Sequence, residues 1–416
     1  MQHILRPTIC LLALVAASSA AEKKFSVSVQ AGDFDRRDTV VTFPLPESAQ
    51  RAPSLWRQGK AVPLQVGPNG RASFIVEELG KGTQAAYELV APAGLPASSP
   101  GKVGQVLARR EGRKVRIGLL QAGDPPGSQA RPLLEYQAEP GALPRADIKS
   151  VLQRGAYLHP ISTPSGKIVT DDYPTNHLHH HGVWWSWTKT RFDEREPDFW
   201  NMGDAKGRVE FLSLGDTWSG PVHGGFQSQH RFVDLTAPSP VTVLTESWEV
   251  IAYAPSPRAG SYWLFDLVSQ QQCATASALQ LPTYRYGGLG VRGNRAWDGK
   301  EHAFFLTSEG ETDRDKGNTS RARWCDMGGL LDGRQAGIAI LGHPDNFRAP
   351  QPMRLHPTEP FFNFAPQQAG DMEIKPGQPY LSRYRFVVHD GPPERAELDR
   401  LWNDYAHPPV VQVQEK

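Results

Sequence analysis

Cysteine is scarce in this sequence, with 3 cysteines among 416 residues. One of them lies within the first twenty residues, which leaves Cys273 and Cys325 in the body of the chain. In an oxidising compartment these two would pair, and closing so long a loop contributes roughly 4 kcal/mol on the chain-entropy model. The alternative is two buried free thiols. Both readings stay open, because a sequence does not show whether two side chains are close in space.

Several catalytic motifs are also missing, and so is an excess of one charge. The chain contains no G-x-S-x-G, H-E-x-x-H, C-x-x-C or P-loop, so triad hydrolases, zincins and nucleotide enzymes lose their usual support. The 45 Lys and Arg residues are balanced by 44 Asp and Glu residues. Nothing therefore indicates nucleic acid or an anionic membrane as a partner.

Long apolar runs are absent, apart from a short one at the start. Arg6 precedes the run ICLLALVAA, and the small residues SSA precede Ala21. This run is well short of the ~20 residues that span a bilayer. Residues 1–20 therefore indicate a secretory signal peptide, and we expect an exported protein, periplasmic or extracellular, without a membrane span.

Helical periodicity is rare, whereas 39 glycines and 36 prolines predict frequent turns. Short segments that alternate apolar and polar residues, such as VTVLTESWEVIAYAP and YLSRYRFVVHDG, are typical of antiparallel strands. We predict a mainly β protein, with a small β-sandwich domain over residues 22–95, a Pro- and Ser-rich linker, and a large antiparallel β-sandwich over residues 103–410. One helix is predicted near the end, where Ala396, Leu398, Leu401, Trp402 and Tyr405 form an apolar stripe.

The stretch TDDYPTNHLHHHGVWWSW, from Thr170 to Trp187, concentrates histidine and tryptophan. If it is a strand, alternation places His177, His179 and His181 on one face and His180 on the other. His177 and His179 would then form a pair able to hold a divalent metal, with a third ligand from His159, Asp171 or Asp172. A metal-free catalytic or sugar-contacting role and a structural role remain equally open.

Other polar and aromatic residues extend this candidate site. Trp184 and Trp187 offer flat apolar faces of the kind that cover a sugar ring, although core packing is the plainer explanation. Glu246 shares a strand face with Trp248, which makes it a candidate buried general acid or base. The substrate-binding candidates that complete the set are His179, Arg292, His343, Asn346 and Arg348.

A glycine-rich segment, YRYGGLGVRGNRAWDG, contains the spacing G-x-G-x-x-G at Gly288, Gly290 and Gly293. A dinucleotide site is rejected here, because no helix pattern follows and the βαβ context is missing. In a strand-rich chain such glycines more often mark bulges or a close approach of backbone.

Five segments, taken in order, resemble a bacterial family named "methane oxygenase PmoA", which is largely a domain of unknown function. The segments are RGAYLHPISTPSGKIVTDDYPTNHLHHHGVWWSW, DFW, YGGLGVR, AGIAILGHPDNFRAP and YRFVVHDG. Members usually carry D-H-P-H-H-R-G. Here His177, His179, His180 and Gly182 match, while Asn176, Leu178 and His181 depart from that pattern. The name implies a membrane copper oxygenase, with which an exported β-rich chain disagrees. The resemblance also implies a fold similar to galactose-mutarotase-like β-supersandwich proteins.

These observations predict an exported carbohydrate-active protein. A histidine, with His177 and His180 as candidates, would act as general acid or base with Glu246 in glycoside hydrolysis, elimination or epimerisation. The alternatives are a non-catalytic carbohydrate-binding protein and a metal-dependent enzyme or oxygenase. The expected ligand is a small molecule or oligosaccharide, and the one cofactor considered is a divalent metal.

Overall fold

The structure is a computed structural model, and it describes residues 23–50, 53–91, 104–121, 123–125, 127–255 and 262–416. The predicted signal peptide and the linker predicted between residues 95 and 103 lie outside the described residues. Within these ranges, no helix has the length and hydropathy of a membrane-spanning segment.

The described chain is mainly β, as predicted. The strands that come first in the sequence are β1 Lys23–Gln30, β2 Arg36–Pro44, β3 Ser54–Arg57, β4 Lys60–Val62, β5 Gln65–Val66, β6 Arg71–Leu79 and β7 Gln84–Ala91. The strands that follow are β8 Gln105–Glu111, β9 Lys114–Leu120, β10 Arg131–Gln137, β11 Tyr157–Ile161, β12 Val183–Ser186, β13 Gly207–Trp218, β14 His223–Asp234, β15 Val241–Tyr253, β16 Tyr262–Cys273, β17 Leu279–Leu281, β18 Gly288–Arg292, β19 Ala303–Thr307, β20 Trp324–Leu331, β21 Arg334–Gly342, β22 Met353–Leu355, β23 Phe361–Phe364, β24 Met372–Ile374, β25 Tyr380–Asp390 and β26 Val410–Glu415. The helices are α1 Arg314–Gly317 and α2 Arg395–Ala406, with single 3-10 turns at Glu47–Ala49, Ser150–Leu152, Met202–Asp204, Arg295–Trp297 and Pro366–Ala369.

The N-terminal strands form the predicted small β-sandwich. One sheet has the order β26-β1-β7-β3-β4, and the other has the order β2-β6-β5. Alternate residues of β1, Phe25, Val27 and Val29, are buried between the two sheets because successive side chains of a strand point to opposite faces. The edge strand β26 comes from the far end of the chain and pairs antiparallel with β1, a contact that the sequence analysis did not foresee.

The rest of the chain forms the large antiparallel sandwich. Its first sheet has the order β22-β23-β18-β12-β11-β10-β9-β8, and its second has the order β13-β14-β15-β16-β25-β21-β20-β19. One continuous core joins the inner faces of both sheets. On β15 the residues alternate between buried and partly buried, and Glu246 lies on the same buried face as Trp248, as predicted.

The predicted C-terminal helix is present as α2, which packs on the outer side of the second sheet. Leu398 and Leu401 are buried there against Trp324 and Leu341. The apolar stripe is shorter than predicted, because Ala396 in the first turn of the helix is exposed.

Both cysteines are free thiols, so the disulfide alternative is wrong. Cys273 ends β16 and Cys325 lies on β20, and strands β25 and β21 separate β16 from β20 within the second sheet. Three strand spacings of about 4.8 Å exceed the ~7 Å between Cα atoms that a disulfide tolerates. The Cys273 thiol donates to the carbonyl of Ile374 instead.

Replacing Asp404 by alanine should strongly destabilise the contact between α2 and the small sandwich. Asp404 accepts from Arg36 at 2.9 Å, and both side chains are buried, with 4% and 2% exposed. Removing one partner of such a pair leaves an uncompensated buried charge and costs about 3–5 kcal/mol. The control is Asp315→Ala in α1, because the Asp315–Lys300 pair is more than half exposed, with 64% and 56% of the two side chains accessible, and such pairs contribute ~1 kcal/mol or less. Urea unfolding followed by tryptophan fluorescence measures both variants. Equal shifts of the two midpoints would contradict the assignment.

Candidate functional site

The histidine segment folds as consecutive turns, so the strand prediction for Asn176 to His181 is wrong. The amide of His177 donates to the carbonyl of Pro174 at 3.1 Å, and the amide of His180 donates to the carbonyl of His177 at 2.8 Å. Turns of this kind bring residues three apart together, whereas a strand would bring together residues two apart. The positive φ of 49° at Tyr173 marks the start of the reversal.

This turn region covers the outer face of the first sheet of the large sandwich. Directly paired residues of antiparallel strands point to the same face, so the register defines a row of side chains across β11, β12, β18, β23 and β22. The members of that row are Tyr157, Trp184, Gly290, Asn363 and Arg354. Arg292 and Phe361 form the next pair on this face.

Gly290 shows why the glycine-rich segment is needed at this place. A Cβ at position 290 would lie 2.9 Å from the ring of Trp200 and 3.2 Å from that of Trp184. The missing side chain lets Trp200 lie directly over the sheet, where it contacts Trp184 at 5.0 Å between ring centroids. The prediction of close backbone approach is therefore confirmed at this glycine.

Four histidines converge above this aromatic layer. The rings of His177 and His180 stack, with centroids 4.6 Å apart and an angle of 13° between planes. His179 contacts both rings edge-on at 5.9 and 4.8 Å. His356, from the loop between β22 and β23, reaches His177 at 5.2 Å. His180 is buried and also stacks on Phe361, while the other three are partly exposed.

His180 and His181 lie opposite to where strand alternation predicted them. His180 joins His177 and His179, whereas His181 turns away and is fully buried between Tyr157 and Tyr173. Its Nδ1 atom lies 2.6 Å from the carboxylate of Asp172, which also accepts from the hydroxyl of Tyr157 at 2.8 Å. His181 therefore anchors the histidine segment to the sheet.

A single guanidinium connects the three loops around the histidines. Nη2 of the fully buried Arg292 donates to Asn176 at 3.1 Å, to Asp298 at 2.5 Å and to Glu359 at 3.2 Å. Asn176 also donates to Glu359 at 2.5 Å. Within the part of the chain that the structure describes, Nε and Nη1 of Arg292 are buried without a hydrogen-bond partner. Arg292, which the sequence analysis predicted as a substrate-binding residue, thus lies beside the histidines.

The electrostatic surroundings keep the four histidines neutral near pH 7. Burial lowers the pKa of His179 and of His356 to about 4, and the neighbouring His177 contributes to both shifts. Burial also lowers the pKa of His177, with help from the charge of Arg292, and lowers that of His180 further still. A neutral imidazole offers one donor and one acceptor, so the cluster can accept a proton or bind hydroxyl groups.

The two carboxylates on Arg292 differ in their pKa values. Burial raises the pKa of Asp298 despite the opposing charge of Arg292. Burial acts in the same direction on Glu359, but the hydrogen bond from Thr358 and the charge of Arg292 together lower its pKa. Neighbouring groups whose pKa values are shifted in opposite directions are typical of acid and base partners in catalytic sites.

Glu246 lies elsewhere, in the interior between the two sheets, so its predicted partnership with a histidine of the turn region is wrong. Its carboxylate lies 3.0 Å from Nδ1 of His230 and accepts from Ser269 at 2.6 Å and from Gln271 at 2.8 Å. Trp187 shares this network by donating to Gln271 at 2.7 Å. Glu246 and Trp187 are therefore core residues, each with 1% or less of its surface exposed.

The predicted wall of tryptophans is also corrected at Trp184. This residue faces the site, but it is fully buried beneath His180 and Trp200. One partly exposed aromatic side chain at this face is Tyr286, which packs against Trp200 at 5.3 Å. A ligand on this side would therefore contact Tyr286 rather than the face of Trp184.

The residues predicted after β21 belong to a different place. His343 and Asn346 line a cleft of about 180 Å³ with Arg323, Phe364 and Trp402. Asn346 exchanges hydrogen bonds with the backbone of Arg383. Arg348 donates to the carbonyls of Pro366, Gly370 and Asp371, so it fastens a loop. No contact joins these three residues to the histidine cluster within the described ranges.

His356, Asp298 and Glu359 were missed by the sequence analysis. Each stands in a Pro- or Gly-containing loop, at HPTEP and RAWDGK, where composition alone indicates an ordinary turn. The sequence feature that could have identified them is their position just beyond a short strand or strand-like segment. Loops on rigid strands often carry binding residues.

The donor geometry does not form a metal site. Nowhere among residues 23–50, 53–91, 104–121, 123–125, 127–255 and 262–416 do three His, Cys, Asp or Glu side chains stand in an arrangement that could hold a metal ion. Of the proposed third ligands, Asp171 pairs with Arg295 at 2.6 Å, Asp172 with His181, and His159 with Thr170 at 3.0 Å. The rings of His177 and His179 meet edge to face.

Comparisons with solved structures find similarity at low identity. A protein in glycosyl hydrolase family 38 from Enterococcus faecalis shares 9% identity, with 94% of this chain and 47% of that chain covered and a TM-score of 0.46. An alpha-mannosidase from Enterococcus faecalis V583 shares 9%, with 94% and 46% covered and a TM-score of 0.45. Heparan sulfate lyase HepC from Pedobacter heparinus shares 9%, with 72% and 38% covered and a TM-score of 0.25. This chain spans less than half the length of each, and none is similar enough to transfer a function.

Sequence comparison identifies the family of the chain, but the description of that family names no activity. A model described as a family of unknown function, DUF6807, matches residues 127–403, which is more than half of the chain. That description does not contain the name methane oxygenase PmoA. No curated protein matches the sequence.

Protein purified without a histidine tag should contain less than about a tenth of an equivalent of zinc, copper, manganese or iron. The physical reason is that the histidine rings stack on one another instead of directing three nitrogens at one point. Elemental analysis after dialysis without chelator measures the content. A stoichiometric metal that is lost in His177→Ala would contradict this expectation.

The stability of the protein should fall as pH falls from about 6.5 to about 4. A histidine whose folded pKa is depressed to about 4, such as His356, stabilises the fold fully above the unfolded pKa of ~6.5 and loses that contribution on acidification. The variant His356→Asn should show a weaker dependence, because asparagine can still accept from the amides of Thr358 and Glu359 without titrating. Urea midpoints at pH 7 and pH 5 compare the two proteins. Identical losses in both would contradict the assignment.

Proposed function

The chain belongs to the DUF6807 family, whose function is unknown, and we propose that it is an exported carbohydrate-active protein whose ligand binds at the histidine cluster. The observation that carries the proposal is the convergence of four neutral histidines with two carboxylates and an arginine on one face of the sheet. The proposed location outside the cytoplasm rests on the secretory signal expected in residues 1–20.

The chemistry of the cluster suits a polyhydroxylated ligand. Neutral imidazoles both donate to and accept from hydroxyl groups, and Asn176 adds an amide at the exposed edge. Tyr286 presents an aromatic surface next to these polar groups, where the apolar face of a sugar ring can pack. Sites that mix a few aligned polar groups with aromatic surface are typical of small-ligand binding.

His177 is the side chain best placed for acid and base chemistry. Its ring is partly exposed and neutral, so it can accept a proton from a sugar hydroxyl or from an acidic C–H group of the sugar. Burial and the charge of Arg292 lower the pKa of His177, and the carboxylate of Glu359 offsets part of that shift, which would favour the imidazolium that forms. The ring of His180 stacks on the imidazole of His177 and limits its rotation. Glu359 therefore takes the part that the sequence analysis gave to Glu246.

One observation favours a non-catalytic binding role instead. Both carboxylates near the histidines already accept hydrogen bonds from Arg292, and Glu359 also accepts from Asn176 and Thr358. Carboxylates with these hydrogen bonds hold loops in place. To transfer a proton, they would first have to give up a hydrogen bond to Arg292 or to another donor. A binding protein requires the same aromatic and polar surface without that step.

Replacing His177 by alanine should abolish turnover of a bound oligosaccharide while leaving the fold intact, because the side chain is partly exposed. Loss of a positioned acid or base lowers the rate by roughly 10²–10⁴-fold. The assay incubates the protein with an oligosaccharide panel and follows products by liquid chromatography with mass spectrometry, which also separates epimers. His180→Ala should have the same effect, with its urea midpoint measured alongside since His180 is buried.

The matched control is His343→Ala, a partly exposed histidine that lines the separate cleft after β21. It should turn over substrate as the unaltered protein does. Turnover unaffected by His177→Ala would remove the histidine cluster from the mechanism. Binding on a glycan array without any product from the unaltered protein would establish the binding role.

A further inference from the structure

Two arginines stand together at one edge of the candidate site. Arg354 belongs to the row of outward-facing side chains that includes Gly290 and Trp184, so it lies on the same face of the sheet as the histidines. Arg285 lies over the rings of Tyr286 and Tyr284 at 5.5 and 5.9 Å. Tyr286 also lies beside Arg354, and the charge of Arg354 acts on His356. The two guanidinium groups thus border the surface that Tyr286 and His356 form.

Neither arginine has a carboxylate partner within 4 Å in the described part of the chain. The side chain of Arg354 makes one hydrogen bond, to the amide oxygen of Asn318 at 3.2 Å. Burial lowers the pKa of Arg354, and the neighbouring positive charge of Arg285 lowers it further. Two like charges that act on each other repel, and a bound anion offsets that repulsion.

The acidic groups of the site contact other partners than these two arginines. Asp298 and Glu359 accept from Arg292, so their charges are partly balanced there. Asp198 accepts from the amides of Trp200 and Asn201 and from the side chains of Thr188 and Asn201. Arg285 and Arg354 therefore keep their charges without a direct carboxylate contact among the described residues, next to the aromatic surface of Tyr286.

We propose that Arg285 and Arg354 bind an acidic group of the ligand, so that the ligand is an anionic saccharide carrying a carboxylate or a sulfate ester. This inference rests on the proposed function, because it assigns a substrate class to the same site. The acidic substituent of the sugar contacts the two guanidinium groups beside Tyr286, and its hydroxyls face the neutral histidines.

The experiment measures the affinity of the full chain for three trisaccharides of equal length by isothermal titration calorimetry. One is neutral, one consists of uronate residues, and one carries sulfate esters. We expect at least about tenfold tighter binding of one acidic ligand than of the neutral one, as hydrogen bonds to charged groups commonly provide. The affinity for the acidic ligand should fall with added salt, because the contact lies at the partly exposed edge.

The double variant Arg285→Gln with Arg354→Gln should lose this preference and bind the acidic and neutral ligands equally. Arg354→Lys keeps the charge and should retain most of it. The matched control is Arg334→Gln in the turn that opens β21, which is exposed and removes one charge far from the site. Circular dichroism and the urea midpoint verify that each variant is folded, and Arg285→Gln alone tests an exposed position should the double variant unfold.

The outcomes separate the inference from the proposed function. Equal binding of neutral and acidic sugars by the unaltered protein overturns the anionic ligand and leaves a sugar site standing. An acidic preference that survives the double variant overturns the role of these arginines. Absence of binding to all three ligands and to a broad glycan array overturns the proposed function and the inference together. The uronate and sulfate arms identify which acidic group is bound.

Discussion

The hydrogen bonds of Arg292 are the contact on which the candidate site depends. One nitrogen of this fully buried side chain reaches the histidine turns through Asn176, the loop after β18 through Asp298, and the loop before β23 through Glu359. A buried charge of this kind is costly unless it is paired and hydrogen-bonded. The two carboxylates pair with this charge through Nη2 alone and, in doing so, hold three loops above the sheet.

The aromatic layer below explains why the histidines stay neutral. Gly290 has no side chain, so Trp200 lies against Trp184, and His180 stacks on the surface that results. Rings packed in this way exclude water, and the loss of hydration disfavours the protonated imidazole. The arrangement therefore combines an apolar floor on the first sheet with neutral proton acceptors carried by the turns and loops above it.

Much of the fold could be predicted from local pattern. Alternation identified β15 and β25, and three- to four-residue spacing identified α2, because each pattern reflects the side-chain geometry of one element. The same reasoning failed at His177 to His181. Those residues look like a strand by composition, but Pro174 and the hydrogen bonds of consecutive turns impose a spacing of three. It failed again at β26, whose partner β1 lies at the other end of the chain.

The sequence by itself determined that this protein is built of antiparallel strands, that its histidines and tryptophans are concentrated in one segment, and that its glycines at positions 288 to 293 allow backbone and rings to approach closely. Only the tertiary structure decided which residues act together. Glu246 was drawn into the core by His230, whereas Glu359 was brought to Arg292 across 67 residues of chain. The physical reason is that periodicity encodes the face of an element on which a side chain lies. The partner it meets depends on how distant loops pack over a shared sheet, where burial and pairing of charge are settled together.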